Sequence, residues 1–278
     1  MVADKREKTV SKAKLISVIL ATYNWPQALE LCLQGLSEQT DISFEVIIAD
    51  DGSREETTQL IRTHIASSKF VLKHEWQPDI GFRKSKILNQ AISASSGDYL
   101  VFLDGDCLVQ PDFIEKHRLL SQVNAMVTGS RILLKRSLSQ HLCQGGRWSY
   151  SHFMRDASRY RLSGQLNRLL PLLLKLPDSK MRVYKGFVWR RIKGCNMAAW
   201  RDDVLRIGGF DEGLVGWGHE DADFVFRLHQ AGVRRKSGAW ATEVLHLWHP
   251  SASKENAAKN AETVRARIMA NAGRKLDV

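Results

Sequence analysis

Tyr99-Leu100-Val101-Phe102-Leu103-Asp104-Gly105-Asp106-Cys107 is the stretch on which the fold turns. Residues 99–103 are aliphatic or aromatic throughout and read as a buried strand. Asp-Gly-Asp then breaks the run and delivers two carboxylates, one residue apart, at the strand's C-terminal end. Gly105 lets the backbone bend so that both side chains can reach one point. Such a pair suits a hard divalent cation, and a cation suits a phosphorylated substrate. A polar turn closing a strand is the competing reading, because Asp and Gly are ordinary turn residues.

Upstream, strand and helix signals alternate. Leu15–Ala21 is β-rich and apolar, and Trp25–Gln39 has helical periodicity through Leu29, Leu31, Leu33 and Leu36. Phe44–Ala49 reads as a second strand, closed by Asp50-Asp51-Gly52-Ser53. Ser53 is expected to N-cap a helix that opens on Glu55-Glu56. Phe70–His74 is a third strand, Lys84–Ala94 a helix, and Tyr99–Leu103 the next strand. This alternation predicts a three-layer α/β fold around a mostly parallel sheet. Ligands of such sheets bind beyond the carboxyl ends of the strands. Thr22-Tyr23-Asn24, Asp50-Asp51-Gly52 and Asp104-Gly105-Asp106 would therefore share one rim. No Gly-x-Gly-x-x-Gly follows the first strand and no Walker loop occurs, which disfavours a dinucleotide or P-loop site.

The chain has 278 residues, 44% of them hydrophobic and 26% charged, enough to bury a sizeable core. No apolar run approaches the ~20 residues that span a bilayer, and Leu15–Leu20 is too short for a secretory signal. Cys32, Cys107, Cys143 and Cys195 lie far apart in sequence. They argue against a disulfide framework or a structural zinc and fit a reducing, cytoplasmic compartment. The net charge of +11 is unevenly placed: residues 131–193 hold fifteen Lys or Arg against Asp156 and Asp178 alone. That segment implies an anionic partner, whether phospholipid, phosphorylated glycan or nucleic acid. The expected organisation is a charged tail at 1–14, one α/β domain at 15–250 carrying a basic helical insertion at 131–193, and a C-terminal helix within 251–278.

A second constellation follows the insertion. Glycines flank Trp217 in Gly216-Trp217-Gly218-His219-Glu220-Asp221, and the indole offers a flat face to a sugar ring. Glu220 and Asp221 fall where a helix begins, and helix starts favour negative charge. A carboxylate there can accept a proton from an attacking hydroxyl, or it can simply cap the helix. Asp223 reads as a structural residue. Val244–Pro250 ends an apolar run with His246 and His249 three apart, both candidates to complete a metal shell.

Taken together, Ser17–Asn24, Ile48–Ser53 and Asp104–Asp106 resemble the nucleotide-sugar half of family-2 glycosyltransferases with the GT-A fold. Gly216–Asp221 resembles the acceptor-side motif of β-1,4-galactosyltransferases, chondroitin polymerases and polypeptide GalNAc-transferases. The resemblance spans about residues 15–130 and 193–250. It implies that Thr22, Tyr23 and Asn24 line a uridine pocket and that Asp51, with Asp50 beside it, accepts from the uracil N–H. It further implies that Lys84 and Lys86, with Arg83 competing, meet the nucleotide or diphosphate. Asp104 would touch ribose or metal, and Asp106 would be the main carboxylate on Mn²⁺ or Mg²⁺, completed by His246 or His249. Trp217 would meet the sugar, Asp221 would be the base, and Glu220 would hold a hydroxyl. The implied reaction is transfer from a UDP-sugar with inversion, by direct displacement.

Residues 131–193 match no pattern of that family. Leu169–Leu174 sits among arginines and is followed by Tyr184, Phe187, Val188 and Trp189-Arg190-Arg191. That mixture fits a membrane surface or a lipid-linked acceptor, and it equally fits a solvated basic lid. Arg182, Lys185, Arg190 and Arg191 are expected to face the acceptor. Charge and family habit together favour a lipopolysaccharide core or a similar surface glycan, with peripheral contact at the inner membrane. Two rivals remain at this level. A nucleotidyltransferase of the same sheet class would need a glycine-rich phosphate loop after the first strand, and Thr22-Tyr23-Asn24-Trp25 offers none. A non-catalytic nucleic-acid or anion binder would use the basic segment, but no nucleic-acid module surrounds it.

Overall fold

The computed structural model describes residues 12–189 and 192–272. Strands β1 (Ile16–Thr22), β2 (Phe44–Asp50), β3 (Val71–Trp76) and β4 (Tyr99–Asp104) form the parallel part of a seven-stranded sheet. Successive side chains of a strand point to opposite faces, and both faces here are covered. Ile16, Val18 and Leu20 join Val46 and Ile48 on one face, under Leu29, Leu33 and Leu36 of α1 (Pro26–Ser37) and Ile61 of α2 (Glu55–Ser67). Ile19, Ile47 and Ala49 turn the other way, onto Ile87, Leu88 and Ala91 of α3 (Lys84–Ala94). Burial on both sides is why β1, β2 and β4 read as continuous apolar runs, whereas edge strand β3 leaves Val71 and Trp76 exposed.

Past β4 the chain changes character. It forms β5 (Cys107–Val109), α4 (Phe113–Leu120), β6 (Ala125–Thr128) and β7 (Arg131–Leu133), then α5 (Arg136–Gly145), α6 (Tyr150–Leu162), α7 (Leu170–Leu173) and a 3₁₀ turn at Lys180–Arg182. β8 (Asn196–Trp200), α8 (Arg201–Arg206), α9 (Glu220–Gln230), β9 (Arg234–Ser237), β10 (Val244–His246) and α10 (Ala257–Ala272) complete it. The large sheet runs β3-β2-β1-β4-β8-β6-β9, with β8 antiparallel to both of its neighbours. A small sheet, β5-β10-β7, lies beyond the end of β4. The expected α/β class, with its largely parallel sheet, is the one observed.

One local expectation differs. Ser53 does not cap α2: that helix starts at Glu55 with Arg54 before it, and Ser53 Oγ instead accepts the Asn24 N–H at 2.8 Å. In the C-terminal helix Val264 is buried, whereas Met269 is exposed. The cysteines remain free, yet folding brings Cys107 and Cys195, far apart in sequence, beside His246.

The basic segment is less of an appendage than its composition implies. Its Leu138, Phe153, Ala157, Leu166 and Leu172 share a core with Leu31 of α1 and with Leu245 and Leu247. β7 pairs with β10, and Tyr184 N–H donates to the Arg235 carbonyl at 2.9 Å. Arg182 is a correction to the sequence reading: it is buried, donating to the Leu176, Pro177, Ser237 and Ala239 carbonyls. Four bonds to backbone make it a structural pin rather than an outward-facing contact. Arg190, Arg191 and residues 1–11 of the tail lie outside the described residues.

Candidate active site

Strand register assembles the rim. Thr22 pairs with Asp50, and Ala21 with Asp104, so the first, second and fourth strands end level with one another. Backbone bonds lock the turns beyond them: Asp51 N–H donates to the Thr22 carbonyl (3.1 Å) and Gly105 N–H to that of Ala21 (2.7 Å). Over this rim opens a cavity of about 840 Å³, lined among others by Thr22, Tyr23, Asp51, Lys84, Asp104 and Asp106. Trp217, Glu220, Asp221 and His249, from the C-terminal half of the chain, line the same cavity.

The carboxylates predicted at the rim divide by partner. Asp50 is fully buried; it accepts the Ser53 N–H at 2.7 Å and lies 3.1 Å from His74 Nε2. It braces the turn and does not line the cavity. Asp51 does line it, held by Gln77 Nε2 (2.5 Å) and the Arg83 N–H (2.9 Å). Burial raises the Asp51 carboxyl above the usual carboxylate range, partly opposed by those two donors. Tyr23 is exposed and donates to Asp79 at 2.8 Å. Asn24 serves the turn, accepting the Arg54 N–H through its side chain. Arg83 donates to the Pro78 carbonyl, and neither it nor Lys86 belongs to the cavity wall.

Asp104 and Asp106 point to different groups. Asp104 meets Lys84 Nζ at 2.5 Å. Burial disfavours the ammonium, but Asp104 and Glu220 outweigh it and hold the Lys84 proton more firmly than usual. Asp106 Oδ2 lies 3.1 Å from His249 Nε2 and 3.7 Å from His246 Nε2. One donor atom from each of Asp106, His246 and His249 falls within 4.8 Å of the other two. Burial pushes Asp106 up, while the His249 hydrogen bond and the two imidazoles more than reverse it. His249 is raised by Asp106, and the more enclosed His246 is lowered by burial.

Across the cavity, α9 begins after His219, whose φ is 72°. Asp221 accepts the Gly194 N–H at 2.9 Å and the Ala222 N–H at 2.8 Å. A Cβ on Gly194 would sit 3.2 Å from Asp221 Cβ, a tight contact that a larger residue could make only by pushing the strap and Asp221 slightly apart. Glu220 accepts the Gly218 N–H at 3.1 Å. Its carboxyl titrates above the ordinary glutamate range, chiefly through burial and then through Asp221. Asp223 is fully buried between Arg227 (2.7 Å) and Arg267 (2.6 Å).

Several contributors escape sequence reasoning. Arg131 lines the cavity and approaches His246 at 3.3 Å, and Lys193 lines it from the strap before β8. The C-terminal helix organises the Trp217 loop: Asn260 donates to the Val215 and Gly218 carbonyls. Gly216 has φ 82° and passes so near Asn256 that a Cβ would clash at 2.6 Å. Only the net basicity of 131–193 hinted at Arg131 and Lys193. Nothing in the pattern of 251–278 pointed to the loop it holds.

Residues 17–137 match the glycosyl transferase family 2 description, and residues 182–249 match that of the N-terminal domain of galactosyltransferase. A validoxylamine A glucosyltransferase of Streptomyces hygroscopicus subsp. jinggangensis is 26% identical over 85% of this chain and 57% of its own. The chain thus spans about half the length of the curated relatives it matches first. Among solved structures, the mannosyltransferase PcManGT of Pyrobaculum calidifontis, in complex with GDP-Man and Mn²⁺, superposes with a TM-score of 0.57. It is 15% identical, over 96% of this chain and 77% of its own. GalNAc-T7 with UDP, GalNAc and Mn²⁺ gives a TM-score of 0.62 at 14% identity, over 94% and 48%. The fold is that of the GT-A glycosyltransferases, and residues 17–137 carry the family-2 match within it.

Proposed function

We propose that this chain is an inverting, metal-dependent glycosyltransferase. It would move a sugar from a UDP-sugar to a hydroxyl of an anionic cell-surface glycan, with a lipopolysaccharide core or another lipid-linked glycan as the acceptor class. The observation that carries this reading is one cavity lined by Asp106 and His249, with His246 grouped beside them, and by Asp221 at a helix start. Relatives that are glycosyltransferases, and neighbours solved with UDP or GDP-Man and Mn²⁺, support it.

The donor set fits a divalent transition metal. One carboxylate with two imidazoles is softer than the all-oxygen shell that Mg²⁺ prefers, so Mn²⁺ suits it better. A bound cation would offset the charge of the departing diphosphate. The chain's own residues do the rest. Thr22, Tyr23 and Asp51 enclose the base, and Lys84, Arg131 and Lys193 bring positive charge to the same space. Asp104 orients Lys84, and Trp217 offers its exposed face to the sugar. Asp221 accepts the acceptor proton as its oxygen attacks the anomeric carbon; the Gly194 N–H fixes the carboxylate's orientation. One base rather than a carboxylate pair flanking a glycosidic bond separates this chemistry from hydrolysis of glycosides. Among the rivals, a nucleotidyltransferase lacks its phosphate loop, since β1 runs through Thr22-Tyr23-Asn24-Trp25 straight into α1.

A panel of UDP-sugars, scored for thermal stabilisation with and without Mn²⁺, tests the reading. A true donor at ~100 times its dissociation constant adds ~2.7 kcal/mol. Asp106→Ala should abolish both the Mn²⁺-dependent shift and sugar transfer while its own melt stays cooperative. Full turnover by that variant, or by the wild type in excess chelator, would rule the metal site out.

A further inference from the structure

We propose that the outer face of residues 155–181 docks on the surface of an anionic lipid bilayer. Leu170, Leu173, Leu174 and Leu176 are each more than half exposed, and Leu162 and Met181 almost wholly so, at 89% and 94%. Apolar side chains left in water in such number within one short stretch mark an interaction surface. Leu170 and Leu173 border a shallow groove with Leu169, Pro171 and Trp240, rimmed by Arg161 and Arg168. The groove is a fixed part of the fold: Pro171 and Leu172 are buried, Leu176 N–H donates to the Trp240 carbonyl at 2.7 Å, and Arg182 pins the strap from inside.

Charge selects the occupant. On α6, Phe153 and Ala157 face the core, while Arg155, Arg159 and Leu162 follow at i, i+4 and i+7 on the opposite, exposed face. Arg161, Arg168, Lys180 and Lys185 are exposed as well. The acids of the segment do not balance them: Asp178 already pairs with Lys236 at 2.8 Å, which leaves exposed Asp156 alone against these cations. Leucines ringed by cations match the boundary of an anionic bilayer, where apolar groups sink among the acyl chains and cations meet the headgroups. A soluble polyanion would use the cations and leave the leucines in water. No helix among the described residues is long and apolar enough to cross a membrane, and the contact proposed is one at the bilayer surface.

The basic segment 131–193 that carries this face begins and ends in the cavity wall, at Arg131 and at Trp189, Ile192 and Lys193, and Arg168 donates to the Arg131 carbonyl. Adsorption would thus hold the cavity close to the lipid surface. That this serves a lipid-linked acceptor rests on the transferase reading; the docking itself does not.

Co-sedimentation of the full chain with phosphatidylcholine vesicles, with and without phosphatidylglycerol, tests it. The wild type should pellet with the anionic vesicles and be progressively released by salt. Leu170→Glu/Leu173→Glu/Leu174→Glu should lower partitioning at least about tenfold. Arg155→Glu/Arg159→Glu should lower it about fivefold per charge removed. Milder Leu170→Ser and Leu173→Ser changes should give a smaller loss in the same direction. Melting temperature and acceptor-independent UDP-sugar hydrolysis should not move, and vesicle binding is read whether or not any transfer occurs. Wild type left in the supernatant overturns the proposal. So does a triple-glutamate variant retained like the wild type, and so does arginine reversal that abolishes heparin binding while sparing vesicle binding, which assigns the cations to a soluble polyanion.

Discussion

The two walls of the cavity are built in different ways. Thr22 and Asp104 end hydrogen-bonded parallel strands and Asp51 and Asp106 lie just past such ends, so their spacing follows largely from sheet register. The other wall gathers Arg131, Lys193, the Trp217–Asp221 stretch and His249 from four separate stretches of chain, His249 reaching across to Asp106. It is held by individual polar tethers: Gly194 to Asp221, Asn260 to the Trp217 loop, Arg267 to Asp223 and Asp211. A wall fixed by register tolerates the loss of one side chain. A wall fixed by tethers transmits each loss to its neighbours, because a buried group left without its partner is costly.

The sharpest way to break that contrast is Asp221→Asn. If this wall supplies chemistry and the other supplies donor binding, turnover should fall by about 10²–10⁴ while UDP-sugar affinity, read by calorimetry, barely changes. Collapse of donor affinity with turnover spared would reverse the assignment.

The next comparison lies within the rim. Asp51→Ala should weaken UDP binding about tenfold to a hundredfold, since the side chain lines the cavity, and should also lower the melting temperature, since Gln77 Nε2 and the Arg83 N–H lose their acceptor. Asp50→Ala should cost about 1–3 kcal/mol of stability and leave UDP binding nearly unchanged, because it only strips His74 and the Ser53 N–H of their buried acceptor. Equal binding losses in the two variants would mean that both carboxylates face the nucleotide.

The smallest effect concerns pH. The folded state raises the Glu220 carboxyl above its ordinary value of 4.5, so the fold binds its proton more tightly than the unfolded chain does. Stability from this group is present below that ordinary value and is lost as pH rises through the elevated one. Metal-free Glu220→Gln should therefore melt like the wild type in acid and above it by a few degrees near neutrality. A variant that melts lower at neutral pH would show that Lys84 depends on the Glu220 charge more than on Asp104.

Sequence pattern carried the first wall well because its information is local. Alternation and burial on both faces identify β1, β2 and β4, and the α3 boundaries, Lys84–Ala94, coincide with those expected. The strand-to-loop transition places the aspartates without knowledge of any distant contact. What pattern could not do was tell Asp50 from Asp51, adjacent acids in the same turn. Asp50 is the last residue of β2 and Asp51 the first beyond it, and that single step separates a buried brace from a cavity wall. Ser53 failed for a related reason: the Asn24 N–H competes for its hydroxyl, and Asn24 comes from another loop.

By itself, then, the sequence determined the parallel sheet, the rim of carboxylates at its strand ends, the pairing of two histidines three residues apart, and the location of the basic charge. Only the tertiary structure decided that both His246 and His249 reach Asp106, that Lys84 takes Asp104, and that Arg182 is a pin turned inward. It alone brought Gly194 against Asp221 and gave the C-terminal helix the Trp217 loop to hold. Periodicity and strand ends are properties of a few neighbouring residues, set by backbone geometry. Which donor finds which acceptor across tens of residues is settled only when packing brings the segments together, and burial then makes every unmatched partner expensive.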